Sequence, residues 1–174
     1  MNLLPGNVYL IGLMGAGKTT VGRKLAELMK ADFIDTDQLL EKRTGVSIAH
    51  IFEIEGEQGF RDRESRLFEE VSSENNVVVS TGGGLVLNLD NRARMKQSGE
   101  VVYLRANIEI LWKRLKNCHT RPLLKTPNPR SRIEELIVER DPVYTEMADH
   151  IVEVTSGSAN KTAHSIRQML DTAT

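Results

Sequence analysis

Short uninterrupted runs of apolar residues recur along this chain, and stretches whose apolar positions repeat every three or four residues separate them. Val8 to Ile11 is the first such run, the pattern of a strand buried on both faces. After a Gly-rich turn, Val21, Leu25, Leu28 and Met29 fall at helical spacing between Lys18 and about Lys30. The alternation then predicts a strand at Phe33 and Ile34, helical stretches from Asp37 to about Val71, a strand at Val77–Val79 and a helix near Asn91 to Gln97. It continues with a strand at Val101–Leu104, a helix from Asn107 to Lys116, and a last strand around Ile151 and Val152 before a C-terminal helix from Ser158. Five short apolar strands alternating with helices predict the α/β class: a parallel sheet covered on both faces, three layers deep.

One segment departs from the alternation. Asn117 to Arg130 carries Pro122, Pro127 and Pro129, residues that break helices and cannot donate to a sheet ladder. A loop of that length inside a compact domain is more often a working lid than a plain connection. With no repeat, low-complexity tract or linker, the 174 residues are expected to form a single domain, 1–174.

Charge and cysteine content narrow the partners. Lys and Arg number 23 against 24 Asp and Glu, a net charge of -1, so nothing in the bulk charge points to nucleic acid or to an anionic membrane. The one cysteine, Cys118, excludes an intramolecular disulfide framework and fits a reducing compartment. The first apolar stretch runs straight into glycines, too short for a signal sequence or a span, which makes the cytoplasm the expected location.

The chemistry starts after the first strand. Gly12-Leu13-Met14-Gly15-Ala16-Gly17-Lys18-Thr19 matches G-x-x-x-x-G-K-[ST] in the required context, between a strand and a helix. Glycines let successive backbone N–H groups turn onto phosphates, the helix N-terminus adds partial positive charge, Lys18 reaches the β and γ oxygens, and Thr19 offers its hydroxyl to Mg²⁺. A guanine-reading switch would need Asn-Lys-x-Asp, but Asn160-Lys161 is followed by Thr162 and Ala163. Many phosphate-loop ATPases end an apolar strand in a metal-holding Asp, whereas Val77–Val79 runs into Ser80, Thr81 and three glycines. The acid must come from elsewhere, and Asp35-Thr36-Asp37 lies at the C-terminal end of the second strand, where ligands of parallel sheets gather. Asp37 could alternatively do no more than cap the following helix.

Further residues suggest a second, small-molecule subsite. Glu64 falls on the apolar face formed by Phe60, Leu67, Phe68 and Val71, with Arg61 one turn earlier as a partner; a slightly shifted stripe would make the two a solvated surface pair. Gly82, Gly83 and Gly84 remove every side chain between backbone and ligand after a strand, where a plain strand-to-helix turn, the alternative, would rarely need all three. Arg121 lies in the proline-rich loop, where a guanidinium could reach a transferring phosphoryl group, although an isolated loop arginine reads equally as a solvated surface residue. Arg140, following Ile133, Leu136 and Ile137, would by itself be read as a surface residue, and Cys118, His119 and the packed Trp112 need no chemical role.

Taken together, the phosphate loop, Asp35-Thr36-Asp37, Gly56-Glu-x-x-Phe-Arg61-x-x-Glu64, Thr81-Gly-Gly-Gly84, Arg121-Pro-Leu-Leu and Arg140-x-x-x-Tyr144, in this order, resemble the shikimate kinase family over nearly the whole chain. The resemblance implies transfer of the ATP γ-phosphoryl group to the 3-hydroxyl of shikimate, a step toward chorismate and aromatic amino acids. It also implies a phosphate-loop fold with strand order 2-3-1-4-5, substrate-binding helices about 36–71 and a mobile lid about 117–130. By position it implies that Asp37 holds the substrate hydroxyls and assists the departing proton, and that Arg61 and Arg140 clamp the carboxylate. Gly82 and Gly83 would contact ring hydroxyls, Glu64 would orient Arg61, and Arg121 would neutralise phosphates. ATP would lie on Gly15, Ala16, Gly17, Lys18, Thr19 and Thr20, its adenine near Arg114 and Gly157, with one Mg²⁺ on Thr19 and, through water, Asp35. ATP and shikimate are the expected partners of a monomer, with no nucleic acid or membrane. The residues themselves leave open a gluconate or nucleoside monophosphate kinase, or a nucleotide-gated regulator. The complete set Lys18, Asp37, Arg61, Arg121 and Arg140 argues against the last.

Overall fold

A computed structural model describes residues 6–172. Its strands are β1 (Asn7–Ile11), β2 (Asp32–Asp35), β3 (Val77–Ser80), β4 (Gly99–Arg105) and β5 (His150–Glu153). The helices are α1 (Lys18–Met29), α2 (Thr36–Thr44), α3 (Ile48–Val71), α4 (Leu89–Ser98), α5 (Ile108–Leu115), α6 (Pro129–Met147) and α7 (Ala159–Thr172), with short 3₁₀ turns at Leu85–Leu87 and Pro122–Leu124. The five strands form one parallel sheet in the order β2-β3-β1-β4-β5, as expected. All five residues of β1 are buried, because this strand occupies the centre and helices cover both faces of the sheet. Val8, Leu10, Val78 and Val102 belong to a single apolar cluster with Leu25 of α1, Phe68 of α3 and Ile166 of α7.

Register decides where chemistry can occur. Asp35 pairs with Ser80 across β2 and β3, so the two strands end level with each other and deliver their following residues to the same edge. The phosphate loop leaves β1 on that edge too, since Leu10 pairs with Ser80. Three loops therefore converge beyond the carboxyl ends of adjacent strands, around the reversal of chain order in the sheet.

The helical stretches expected from Asp37 to about Val71 are two helices, α2 and α3. Gly45, in the left-handed conformation at φ 72°, ends α2, and its N–H caps Glu41. Helix α3 is itself kinked at Gly56, with φ 70° and ψ -177°, and Glu55 and Arg63 are joined across the kink by bonds of 2.7 and 2.6 Å. Likewise the segment expected as an open loop, Asn117 to Arg130, contains the Pro122–Leu124 turn with Leu124 buried, and its last two residues already belong to α6. Proline is accepted there because the first helical position needs no intrahelical N–H. Among the described residues no helix is long and apolar enough to cross a membrane.

Candidate active site

The loop between β1 and α1 is built around backbone conformations that L side chains rarely adopt. Gly15 and Gly17 have φ of 82° and 97°, and Gly17 stands immediately before the first residue of α1. The turn therefore wraps back upon itself and presents the helix N-terminus to the cleft. Lys18 is buried, and its Nζ donates to the carbonyls of Gly12 at 2.7 Å and Leu13 at 2.9 Å. Burial lowers its pKa to about 8, with the Asp37 carboxylate pulling the other way, so at neutral pH the ammonium is still charged. Thr19 donates its hydroxyl to Asp35 Oδ2 at 2.5 Å and lies 3.4 Å from the Ser80 hydroxyl.

Asp35 and Asp37 divide their work. Asp35 is the N-cap of α2, its other oxygen accepting from Gln38 N at 3.0 Å, so capping does not fall to Asp37. Asp37, in the first turn, is free to point into the cleft. Burial raises its pKa, the neighbouring Asp35 adds to the rise, and Arg121 and Lys18 oppose it. Arg121 Nη1 approaches Asp37 Oδ2 at 3.6 Å from the Pro122–Leu124 side.

A cleft of about 640 Å³ contains Gly15, Ala16, Gly17, Lys18, Thr19, Thr20, Asp35, Asp37, Arg114, Arg121 and Gly157. Arg114 donates to Gly15 O at 2.8 Å, which holds the α5 guanidinium against the phosphate loop. A smaller chamber of about 60 Å³ adjoins it, sharing Met14, Ile48, Asp37, Gly83, Arg121 and Pro122, and its remaining wall includes Arg61, Glu64, Gly82 and Arg140. Every residue expected to bind ATP, the metal or the acceptor thus lines one of two communicating spaces, with Asp37 and Arg121 at their junction.

The smaller chamber is charged on one side and apolar on the other. Arg61 Nη1 donates to Glu64 Oε2 at 2.8 Å and Nη2 to Glu57 Oε1 at 3.2 Å, while its guanidinium lies 5.0 Å from the Phe60 ring centre. Glu64 is only 2% exposed, and its Oε1 is buried with no hydrogen-bond partner. Desolvation outweighs the attraction of Arg61 and pushes its pKa up to about 7. The pair is therefore interior, and the surface alternative is excluded. Arg140, which by itself would be read as a surface residue, is only 4% exposed, because α6 turns that face toward the glycine turn. A Cβ on Gly82 would lie 2.3 Å from Glu64 Oε1 and 3.0 Å from Asp37 Oδ1, and one on Gly84 would lie 2.3 Å from Arg61 Nη2. No side chain fits at either position without displacing a charged group.

Some contributors had no role in the sequence reading. Thr36 is buried and its hydroxyl accepts from Gly82 N at 3.0 Å; Tyr144 donates to Gly83 O at 2.5 Å; Ser80 stands beside Thr19. Thr36 and Tyr144 stood in the motifs quoted above without a role of their own, and Ser80 was marked only by its place after the third strand. The apolar wall of Ile48, Phe52, Phe60 and Leu123 gave none, since such residues read equally well as core. Cys118 lies outside both spaces, 3.4 Å from the Thr120 hydroxyl, and Trp112 packs against the core.

The family model for shikimate kinase matches residues 14–171. A shikimate kinase of Nitrosospira multiformis is 50% identical over 165 residues, 95% of this chain and 85% of the relative. One of Aromatoleum aromaticum is 52% identical over 151 residues, 87% of this chain and 86% of the relative. Among solved structures, a shikimate kinase from Acinetobacter baumannii in complex with shikimate superposes with a TM-score of 0.94 at 43% identity, covering 97% of this chain and 94% of that one.

Proposed function

The chain belongs to the shikimate kinase family, and we propose that it transfers the γ-phosphoryl group of ATP to the 3-hydroxyl of shikimate, giving shikimate 3-phosphate and ADP on the route to chorismate. The observation that carries the reading is the small chamber itself: two arginines and an aspartate around a side-chain-free turn, opening onto the phosphate loop.

Each part of the acceptor finds a suitable partner. The planar guanidinium forks of Arg61 and Arg140 suit a carboxylate, Asp37 and the Gly82 and Gly83 backbone suit ring hydroxyls, and the apolar wall suits the carbon ring. Asp37 orients the 3-hydroxyl and takes its proton as the oxygen bonds to the γ-phosphorus; the bond to the bridging oxygen breaks and ADP leaves. Burial raises its pKa, which strengthens it as a base. Lys18 and Arg121 neutralise the phosphoryl oxygens in flight, and Arg114 and Gly157 flank the adenine. Thr19, Ser80 and, through water, Asp35 present hard oxygen donors within a few ångströms of one another, a set that fits one Mg²⁺ carried by the nucleotide. Bound there, the ion neutralises phosphate charge.

We further read the chain as one kinase domain, 1–174, with a lid over about 117–130 and substrate-binding helices over about 36–71, working as a cytoplasmic monomer. The test is ADP release measured with shikimate, gluconate, AMP and CMP in parallel. Turnover confined to shikimate is expected, and turnover with AMP or gluconate but none with shikimate would sink the assignment.

A further inference from the structure

The groups that would grip the acceptor come from four different elements: Asp37 from α2, Arg61 from α3, Arg140 from α6, and the Gly82–Gly84 turn that follows β3. For a rigid ring with a carboxylate at one end and a reacting hydroxyl at the other, the separation of these elements must be held to a fraction of an ångström. Glycines cannot supply that rigidity, since they have the largest backbone freedom to lose. The turn must be held from outside.

Two buried hydroxyls do this. Thr36, adjacent to Asp37, accepts from Gly82 N at 3.0 Å and ties α2 to the start of the turn. Tyr144, one helical turn after Arg140, donates to Gly83 O at 2.5 Å and ties α6 to its middle. Tyr144 is itself fixed, being 1% exposed and packed in a tilted arrangement 4.9 Å from the Tyr103 ring. Arg140 Nη1 lies 3.4 Å from where a Cβ of Gly83 would stand, so the bond from Tyr144 also sets the gap between guanidinium and backbone. We infer that Thr36 and Tyr144 are positioning residues that set the spacing between the carboxylate clamp and the phosphoryl-accepting hydroxyl, and so determine affinity for the acceptor without touching it. Burial keeps the Tyr144 phenol protonated far above neutral pH, its pKa pushed up to about 12, so the donor persists under all working conditions.

The inference rests on shikimate being the acceptor, and one set of assays separates the two claims. KM for shikimate and KM for ATP are measured for the unaltered chain and for Tyr144→Phe, Thr36→Val and Thr36→Ser, with melting temperature recorded alongside. Phe and Val remove only the hydroxyl, and a lost buried hydrogen bond predicts a rise of about tenfold in KM for shikimate. KM for ATP should stay within about twofold, because the phosphate loop is held by other bonds, and Thr36→Ser should restore the lower shikimate KM. A shikimate KM unmoved by both hydroxyl deletions, a parallel rise in both KM values, or a Ser variant no better than Val would each overturn the positioning role. Absence of shikimate turnover by the unaltered chain would instead overturn the activity. Should Tyr144→Phe not fold, the Thr36 pair decides by the same readouts.

Discussion

Ionising Glu64 places charge on a carboxylate whose Oε1 is buried without a partner, and only Oε2 is answered by Arg61. Its pKa in the fold, about 7, therefore lies above the ordinary 4.5. The folded chain binds more protons than the unfolded one between these values, so this group's contribution is complete below pH 4.5 and is lost as pH rises to 7. Glu64→Gln, which cannot ionise, should flatten the fall in melting temperature across that window, and an unchanged slope would remove Glu64 as its source. In the proposed mechanism proton transfer turns on Asp37. Asp37→Asn keeps the shape of the site and removes the base, so kcat should fall by about a thousandfold while calorimetry still detects ATP binding. Near-normal turnover would assign the proton elsewhere.

At the scale of elements, the Pro122–Leu124 turn carries Arg121 to the junction of the two spaces while Leu124 anchors it in the core. The Arg121 side chain is 43% exposed and 3.6 Å from Asp37, so the ion pair adds little to stability and leaves the guanidinium available for phosphate. Arg121→Ala should lower kcat by about a thousandfold with little change in melting temperature, as loss of an arginine aimed at a phosphoryl group does. Arg121→Lys should recover only part of it, a point charge being a poor substitute for a planar fork. A large fall in melting temperature with intact kcat would make the turn a structural brace instead. The kink at Gly56 works at the same scale, redirecting the half of α3 that bears Arg61 and Glu64. That bend was invisible in the periodicity, because hydrophobic spacing reports which face is buried and says little about the direction of the axis.

For the molecule as a whole, ligand occupancy should appear as stability. Shikimate at about a hundred times its Kd adds about 2.7 kcal/mol to the folded state, which for a chain of this size is a rise of roughly 5–10 °C in melting temperature. Gluconate at the same concentration should leave the transition unmoved, and the opposite result would transfer the small chamber to another acceptor. By itself the sequence determined the α/β class, the strand order through family likeness, the phosphate loop, and the identities of Asp35, Asp37, Arg61, Arg121 and Arg140. These are legible because they depend on local rules: a buried strand is apolar throughout, and a phosphate loop needs glycines and a lysine at set spacings. Only the tertiary structure decided that Glu64 and Arg140 lie inside, that Asp35 and not Asp37 caps α2, and that Thr36, Ser80 and Tyr144 belong to the site. The reason is physical: burial and partnership are set by groups from other elements. Thr36 meets Gly82 at a separation of 46 residues and Tyr144 meets Gly83 at 61, distances over which no local pattern carries information.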